Sequence, residues 1–181
     1  MSKKSKKAFP NYIGNSYHKE GDVEIVKATS EHASYLQHRL RPTDIRECMI
    51  VGASPWAALH MPLSDKRGET WTIKIKDEPV CMYGVSGISD DDDFNSAVIW
   101  LLGSKSIEKE YRSFLRITKQ IVNHLQTRFD LLENLVPADH TRTIRWLDWL
   151  GFLFAQETTI VNGFACIRFV RCNPEIEVRF E

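Results

Sequence analysis

Residues 131–152 read LLENLVPADHTRTIRWLDWLGF and carry the clearest structural pattern in the sequence. Leu131 to Val136 is short and mostly apolar, which favours a buried strand. Asp139 is a suitable cap for the helix that follows. The apolar face of that helix consists of Ile144, Leu147 and Leu150. Gly151 predicts an abrupt helix end, after which Phe152 enters a sheet. The stretch therefore predicts a strand, a helix and a strand in immediate succession.

A long helix and a central strand come before this stretch. Ala97 to Leu102 is apolar throughout, which is typical of a strand buried on both faces. From Ser106 to Phe129 the apolar residues recur at helical spacing, so one long helix is predicted. A strand, a long helix and another strand form a crossover unit with parallel pairing. After Phe152, a turn at Asn162-Gly163 leads into a last strand over Phe164 to Val170.

The amino-terminal half predicts further helices and a hairpin. A strand over residues 22–28 precedes a helix that Pro42 ends, and a second helix begins near Thr43. The apolar face of this second helix is predicted to hold Ile45, Cys48 and Met49. Residues 71–75 alternate between apolar and polar side chains, and residues 80–85 are nearly all apolar. Together they predict an antiparallel hairpin. The predicted fold class is α/β, with a central mixed sheet flanked by helices on its faces.

The chain divides into three predicted parts. Residues 1–20 form a basic, aromatic arm without periodicity, residues 21–172 form one domain, and residues 173–181 form a carboxyl-terminal extension. The arm is either flexible or becomes ordered against a partner. The residues that would bind such a partner are Phe9, Tyr12 and Tyr17.

Composition excludes several classes of protein. The 181 residues carry 24 basic and 24 acidic side chains, which argues against a dedicated nucleic-acid binder. The four cysteines form no CxxC pair and the histidines are scattered, so no metal site is predicted. No apolar stretch approaches the ~20 residues of a membrane helix, and no signal segment follows the first lysines. We therefore expect a protein that is cytosolic or assembled in the cytosol.

The order of elements and the segment 131–152 resemble the GNAT acetyltransferases. The Leu-Gly-Phe that ends the predicted helix is similar to the end of the family's last helix, and the opening segment VEIVKATSEH is similar to its first strand and helix start. The resemblance covers residues 22–172. It implies a GNAT-like fold and, in an active member, acetyl-CoA bound after the central strand.

The loop after the central strand departs from the family pattern. The resemblance implies a glycine-rich stretch there, Q/R-x-x-G-x-G/A, whose backbone amides face the pyrophosphate. This chain has GSKSIEKEYRSF at residues 103–114, with no glycine between Gly103 and Gly151. Ser104, Lys105 and Ser106 are the residues that could still hold the cofactor. Two carboxylates, Glu108 and Glu110, place negative charge in the same stretch.

The family's catalytic acid is also missing. The resemblance implies a tyrosine in the last helix, four residues before its glycine, and that position holds Leu147. The family's asparagine at the start of the helix aligns with His140. Tyr111 and His140 are the conceivable substitutes, but leucine cannot donate a proton. No catalytic residue is therefore predicted.

A narrower resemblance concerns GNAT-like proteins of tailed bacteriophages. The segments WLLGSKSI and IRWLDWLGF look like members described as acetyltransferases or as the small internal virion protein of short-tailed phages. This resemblance implies a virion structural or assembly protein, with other virion proteins as partners. Trp146 and Trp149 lie three residues apart in one helix, as core residues or as anchors of such an interface.

Three functions follow from these patterns. The first is a phage virion protein without catalytic activity or cofactor, assembled in the host cytoplasm. The second is an N-acetyltransferase that binds acetyl-CoA through a degenerate pyrophosphate loop. The third, a nucleic-acid accessory protein, rests only on the basic arm. An open cleft between the two central strands favours the enzyme, and a cleft filled by Tyr111 or Trp100 favours the structural protein.

Overall fold

The computed structural model describes residues 16–90 and 94–174. The helices are α1 (Ser30–Leu36), α2 (Pro42–Ile50), α3 (Pro55–His60), α4 (Ser106–Lys109), α5 (Tyr111–Gln126) and α6 (Thr141–Trp149), with a 3₁₀ helix over Met61–Ser64. The strands are β1 (Ser16–Glu20), β2 (Val23–Lys27), β3 (Glu69–Ile75), β4 (Glu78–Asp90), β5 (Asn95–Gly103), β6 (Leu131–Pro137), β7 (Leu153–Val161) and β8 (Phe164–Cys172).

The eight strands form one mixed sheet in the order β1-β2-β3-β4-β5-β6-β8-β7. The pair β5 and β6 is parallel, and α4 and α5 connect these two strands as the predicted crossover. The other neighbouring pairs are antiparallel. The predicted mixed sheet with flanking helices is confirmed.

Helices cover both faces of the sheet, because each face is apolar. On one face, α5 and α6 contribute Phe114, Ile121 and Leu147 to a core that also contains Ile73 and Leu132. On the other face, α1 to α3 contribute the second core cluster. The buried members of that cluster are Ala33, Leu36, Leu40, Cys48, Leu59, Met82 and Leu102. The central strands are therefore shielded on both sides, as their unbroken apolar sequence requires.

The stretch of residues 131–152 folds as its sequence predicts, with one exception. The helix ends at Gly151, whose φ of +87° is accessible to glycine at little cost, and Phe152 is buried. The predicted cap is wrong: the residue that caps α6 is His140, which makes no side-chain capping bond. The Asp139 carboxylate instead receives two hydrogen bonds from the Arg46 guanidinium, at 2.9 and 2.8 Å. An exposed ion pair has replaced the cap.

The predicted long helix is interrupted. Its first turn, α4, ends before Glu110, where φ is −107° and ψ is 28°, and α5 begins at Tyr111. The Glu110 carboxylate accepts a hydrogen bond from Lys76 at 2.8 Å. Because of the break, α4 lies at the end of β5, where Ile107 is buried. The helical spacing of the sequence is present on both sides of the break and therefore does not reveal it.

The predicted apolar face of α2 is wrong. Cys48 is buried as expected, but Ile45 is 36% exposed and Met49 is 68% exposed. The buried positions beside Cys48 are Ile50 and Asp44. The helix turns Asp44 inward because its carboxylate accepts a hydrogen bond from the backbone at the end of β5. Ordinary amphipathic patterning cannot anticipate this, since it assigns a carboxylate to solvent.

Two strands extend beyond the prediction. Ser16–Glu20 lies in the predicted arm of residues 1–20 but forms β1, which pairs antiparallel with β2. After Phe152, where the sequence predicts only entry into a sheet, β7 runs from Leu153 to Val161. The turn that follows is confirmed at Asn162 and Gly163, whose φ angles are 47° and 84°. Among the described residues, no helix combines the length and apolar character that crossing a membrane requires.

Candidate functional site

The parallel strands β5 and β6 separate part-way along their length. They pair at Ser96–Leu131, Ala97–Leu132 and Val98–Glu133, and the ladder ends there. Immediately beyond, the Asn134 side chain donates a hydrogen bond to the Ile99 carbonyl at 2.6 Å and closes the narrow end of the gap. From there to their carboxyl ends the two strands are not paired with each other, and this end of the strands is where ligands bind in open α/β sheets.

A cavity of about 650 Å³ occupies this gap. Side chains from both faces of the sheet line it, among them Trp100 of β5, Ile121 of α5 and Trp146 of α6. Trp100 lies against β4, where a Cβ on Gly84 would come within 2.9 Å of its indole ring. Tyr111 is 42% exposed and contacts the Arg142 guanidinium at the surface. Neither residue therefore fills the cleft, and by the criterion set from the sequence this observation favours the enzyme over the structural protein.

The free edge of β5 beyond the gap is covered by the chain itself. The Arg41 N–H donates to the Gly103 carbonyl at 2.9 Å, and the Lys105 N–H donates to the Arg39 carbonyl at 3.4 Å. Residues 39–41 thus pair with residues 103–105 as a short antiparallel strand. The Gly103 N–H donates to the Asp44 carboxylate at 2.6 Å. The backbone groups that end β5 are therefore occupied from within the chain.

The backbone amides of the loop from residue 104 to residue 108 are also satisfied within the chain. Each of these five N–H groups donates a hydrogen bond inside the chain. The acceptors are the Val80 carbonyl at 2.8 Å, the Arg39 carbonyl at 3.4 Å, the Ser104 hydroxyl at 3.3 Å, the Ser104 carbonyl at 3.2 Å and the Lys105 carbonyl at 3.1 Å. A pyrophosphate cradle needs successive amides that point outward, and this loop does not provide them.

The space beside Gly103 is filled as well. The Ile107 side chain packs so closely there that a Cβ on Gly103 would lie 2.2 Å from its Cδ1 atom. Glycine at this position serves the contact with Ile107 and not the approach of a phosphate. The residues present therefore do not fit acetyl-CoA bound through a glycine-rich loop.

The three predicted cofactor residues lie together at the start of α4 but differ in access. Ser104 is buried, and its hydroxyl accepts a hydrogen bond from the Ser106 N–H. The Ser106 hydroxyl donates to the Glu78 carboxylate at 3.0 Å. Lys105 is exposed and lines a second cavity, of about 550 Å³, between α4, α6 and the end of β5. Of the three, Lys105 alone offers its side chain to a ligand.

The position of the family's catalytic tyrosine is part of the core. Leu147 is 4% exposed and belongs to the apolar cluster of α5, α6 and the sheet. The side chain at position 147 therefore packs in the core and offers no proton to a reaction. The conceivable substitute Tyr111 lies at the surface, and His140 points toward α2.

The sequence did not reveal a group of buried and half-buried polar residues between α2 and α6. The Asp44 carboxylate, 1% exposed, is bound by the Arg41 guanidinium at 2.9 Å and by the Gly103 N–H. One turn later, the Glu47 carboxylate lies 2.6 Å from the His140 ring. Burial and the neighbouring Asp44 charge raise the pKa of Glu47, which the His140 ring opposes. The only signal in the sequence is an acid four residues before the buried Cys48.

The residues predicted to bind a partner have different surroundings. Phe9 and Tyr12 lie outside the described residues, and Tyr17 lies in β1, where only its backbone is described. Trp146 packs against Phe114, with ring centroids 5.4 Å apart, as a core residue would. Trp149 is 46% exposed, and the Lys119 ammonium lies 4.9 Å from its ring centroid. Trp149 is thus the described tryptophan of this pair that a partner can reach.

Solved structures share this architecture over nearly the whole chain. A protein provisionally described as an acetyltransferase aligns with a TM-score of 0.70 and 13% identity, over 92% of this chain and 93% of that one. The chain has the GNAT fold. RimL, a ribosomal L7/L12 alpha-N-protein acetyltransferase solved with coenzyme A, aligns at 0.63 and 10% identity, over 87% of this chain and 97% of that one.

A third structure with the GNAT fold is the spermidine N-acetyltransferase of Vibrio cholerae with CoA and spermine. It aligns with a TM-score of 0.63 and 10% identity, over 85% of this chain and 97% of that one. No family model matches the sequence, and no curated protein matches it. At these identities the likeness concerns the GNAT fold itself. Among the described residues, no three histidine, cysteine or acidic side chains group as metal ligands.

Proposed function

We propose that this protein uses the GNAT fold as an interaction module in the virion of a tailed bacteriophage, without acetyl transfer. The observation that carries the proposal is the closed loop of residues 104–108, whose five N–H groups all donate inside the chain. Removing these bonds to admit a pyrophosphate exposes buried amides and costs several hydrogen bonds. The fold therefore persists while its cofactor loop serves packing.

The chemistry of the last helix supports the same proposal. Acetyl transfer to an amine needs a proton for the departing thiolate, and Leu147 has none to give. The open cleft between β5 and β6 is the feature that speaks for the alternative, an N-acetyltransferase that binds acetyl-CoA in a degenerate manner. Substrate positioning alone would then supply its rate.

The virion role rests on the resemblance to phage proteins and on the amino-terminal arm. The arm contains three aromatic residues, which is more than a solvated tail requires: Phe9, Tyr12 and Tyr17. Aromatic residues contribute much of the binding energy at protein interfaces. The exposed Trp149 adds a second point of contact on the domain. Other virion proteins are the proposed partners, met during assembly in the host cytoplasm.

Calorimetric titration with acetyl-CoA tests the loss of cofactor binding. We expect no heat of binding at millimolar cofactor, for the intact protein and for the Lys105→Glu variant alike. Micromolar binding that Lys105→Glu weakens is the opposite result. It would replace the proposal by the degenerate N-acetyltransferase and make a search for the acyl acceptor worthwhile.

The composition of purified particles tests the virion role. We expect mass spectrometry to find the protein in virions of the encoding phage, and to lose it when Phe9, Tyr12 and Tyr17 are all changed to alanine. The matched control changes the arm's lysines to alanine and leaves its aromatic residues in place. Particles that never contain the protein, or that retain the aromatic variant in full, would contradict a virion role through the arm.

A further inference from the structure

A hydroxyl, an imidazole and a carboxylate form a continuous chain between α2 and α6. The Thr143 hydroxyl lies 3.2 Å from Nε2 of His140, and the Glu47 carboxylate lies 2.6 Å from Nδ1 of the same ring. Glu47 comes from α2, and the other two come from the first turn of α6. Residues 93 positions apart in sequence are therefore held in one row by the fold.

The two contacts define one consistent arrangement of protons. An ionised Glu47 accepts only, so Nδ1 of His140 carries the ring proton and donates to it. Nε2 is then the free lone pair of the ring and accepts from the Thr143 hydroxyl. This is the arrangement in which a histidine removes a proton from a nucleophile while a carboxylate orients the ring.

The row opens onto both cavities of the domain. Glu47, Thr143 and Trp146 line the 650 Å³ cavity in the cleft and also the 550 Å³ cavity beside α4. The first cavity is bounded by apolar side chains such as Ile121 and Leu125. The second is bounded by Lys105 and Arg142. The Thr143 hydroxyl thus lies where an apolar compartment borders on a charged one.

Further hydrogen-bond donors lie on the same helix as Thr143. Arg142 and Thr143 occupy the first turn of α6, where backbone N–H groups have no carbonyl one turn earlier and carry a partial positive charge. The indole N–H of Trp146 is buried and has no hydrogen-bond partner among the described residues. An indole N–H is a donor only, and it usually finds an acceptor when it is buried. A ligand oxygen in the cavity is such an acceptor.

We propose that Thr143, His140 and Glu47 form an acyl-transfer triad that hydrolyses small carboxylic esters. Thr143 is the nucleophile, His140 is the general base and acid, and Glu47 is a positioning residue. The inference goes beyond the proposed function, because it requires no coenzyme and needs no free backbone amide from the loop at residues 104–108.

The bonds of the reaction balance with water as the second reactant. The Thr143 oxygen bonds to the ester carbonyl carbon while its proton passes to Nε2 of His140. The carbon–oxygen bond of the ester then breaks, and the proton moves from the imidazolium to the departing alkoxide. Water, deprotonated by the same nitrogen, cleaves the acyl-threonine, and the proton returns to Thr143. First-turn amides and the Trp146 indole stabilise the oxyanion.

The two compartments indicate the class of ester. The apolar cavity in the cleft accommodates a short aliphatic acyl group. The rim of the other cavity carries Lys105 and Arg142, which favour an alcohol portion with negative charge. Asp139 and Glu108 lie on the same rim, but Arg46 binds the first carboxylate and Arg142 approaches the second at 3.4 Å.

The test measures hydrolysis of p-nitrophenyl acetate and p-nitrophenyl butyrate by the full chain. Thr143→Val keeps the branched shape and removes only the hydroxyl, so we expect the rate to fall by about 100-fold or more. His140→Gln is expected to lower the hydrolysis rate by a similar factor. The control is Thr159→Val, at an exposed position of β7 that lines neither cavity, which should leave the rate unchanged. Thermal unfolding of each variant establishes that it is folded.

Two further measurements separate a catalytic role from a structural one. Mass spectrometry after acid quenching, or after treatment with a fluorophosphonate, is expected to find the adduct on Thr143 and to lose it in Thr143→Val. Glu47→Gln should lower kcat by about 10-fold or more with little change in KM, and Glu47→Asp should restore part of it.

Any of three results would overturn the proposal. The first is an intact protein that hydrolyses neither ester above the uncatalysed rate. The second is a folded Thr143→Val variant that retains the full rate, which excludes Thr143 as the nucleophile. The third is an adduct that forms on surface lysines and not on Thr143. None of these results affects acetyl-CoA binding, so the failure of the triad and the failure of the proposed function are distinguishable.

Discussion

The cleft between β5 and β6 and the loop that follows β5 are neighbours with opposite properties. The cleft is open, with a cavity of about 650 Å³ between strands whose ladder ends at Val98 and Glu133. The loop of residues 104–108 is closed, since every one of its amides has an acceptor in the chain. The cleft is formed by the strands of the sheet, whereas a pyrophosphate-binding loop depends on a few residues after β5. The fold can therefore keep the cleft while the loop loses the ability to bind a pyrophosphate.

The segment from Arg39 to Asp44 is responsible for much of this difference. It covers the free edge of β5 with backbone hydrogen bonds and places a buried carboxylate on the Gly103 N–H. An anion from the chain thus occupies the donors that end the strand. Changes in this segment are the most direct way to disturb the closed region while the cleft remains as it is.

The largest effect is expected from Asp44→Ala. It leaves the Gly103 N–H and the Arg41 guanidinium without their shared acceptor in a buried place, so we expect a loss of about 3–5 kcal/mol in the free energy of unfolding. Urea denaturation measures it. Asp139→Ala is the matched control, because it breaks an exposed pair with Arg46 and should cost less than about 1 kcal/mol. Equal losses in the two variants would mean that Asp44 does not hold the end of β5.

Gly103→Ala tests the packing of the loop directly. The added Cβ would meet Ile107 Cδ1 at 2.2 Å, so we expect a loss of about 1–3 kcal/mol from overpacking. The same change in an Ile107→Ala background should cost clearly less, because the clashing atom is gone. A double-mutant cycle in urea measures the coupling. Additive losses would show that the contact does not determine the choice of glycine.

Much of the architecture was predictable, because it follows from periodicity and from chain breaks. The apolar run of Ala97 to Leu102 and the glycine stop at Gly151 specified the central strand and the end of α6, and both are confirmed. The break at Glu110 was not predictable, since helical spacing continues across it. The strand β1 escaped prediction because Ser16 to Glu20 is polar and gains its structure from pairing with β2.

The candidate site was less predictable than the fold. Sequence reasoning identified the eroded loop and the leucine at position 147, because both are departures from a known pattern. It missed Asp44 and Glu47, since a carboxylate on a short helix is ordinarily assigned to solvent. It considered His140 as a substitute acid without any partner side chains, whereas the structure places that ring between Glu47 and Thr143. Contacts between residues 93 positions apart carry no local signal.

The smallest expected effect concerns Glu47, which borders the open cleft as well as the closed segment. Burial and the Asp44 charge raise the pKa of Glu47 in the folded protein. A carboxyl whose folded pKa is raised contributes stability that is present below its unfolded pKa and is lost as the pH rises through the folded pKa. Glu47→Gln cannot ionise. We therefore expect it to match the wild type in acid and to be more stable than the wild type at neutral pH.

Urea denaturation of both proteins across the acid-to-neutral range measures this difference. The control is Glu108→Gln, whose carboxylate is 58% exposed, and its difference from the wild type should stay near zero at every pH. A Glu47→Gln variant that is less stable than the wild type at neutral pH would reverse the conclusion. The hydrogen bond between Glu47 and the His140 ring would then stabilise the carboxylate by more than burial and the Asp44 charge destabilise it. The same titration therefore decides which of these opposing effects governs the carboxylate that orients His140.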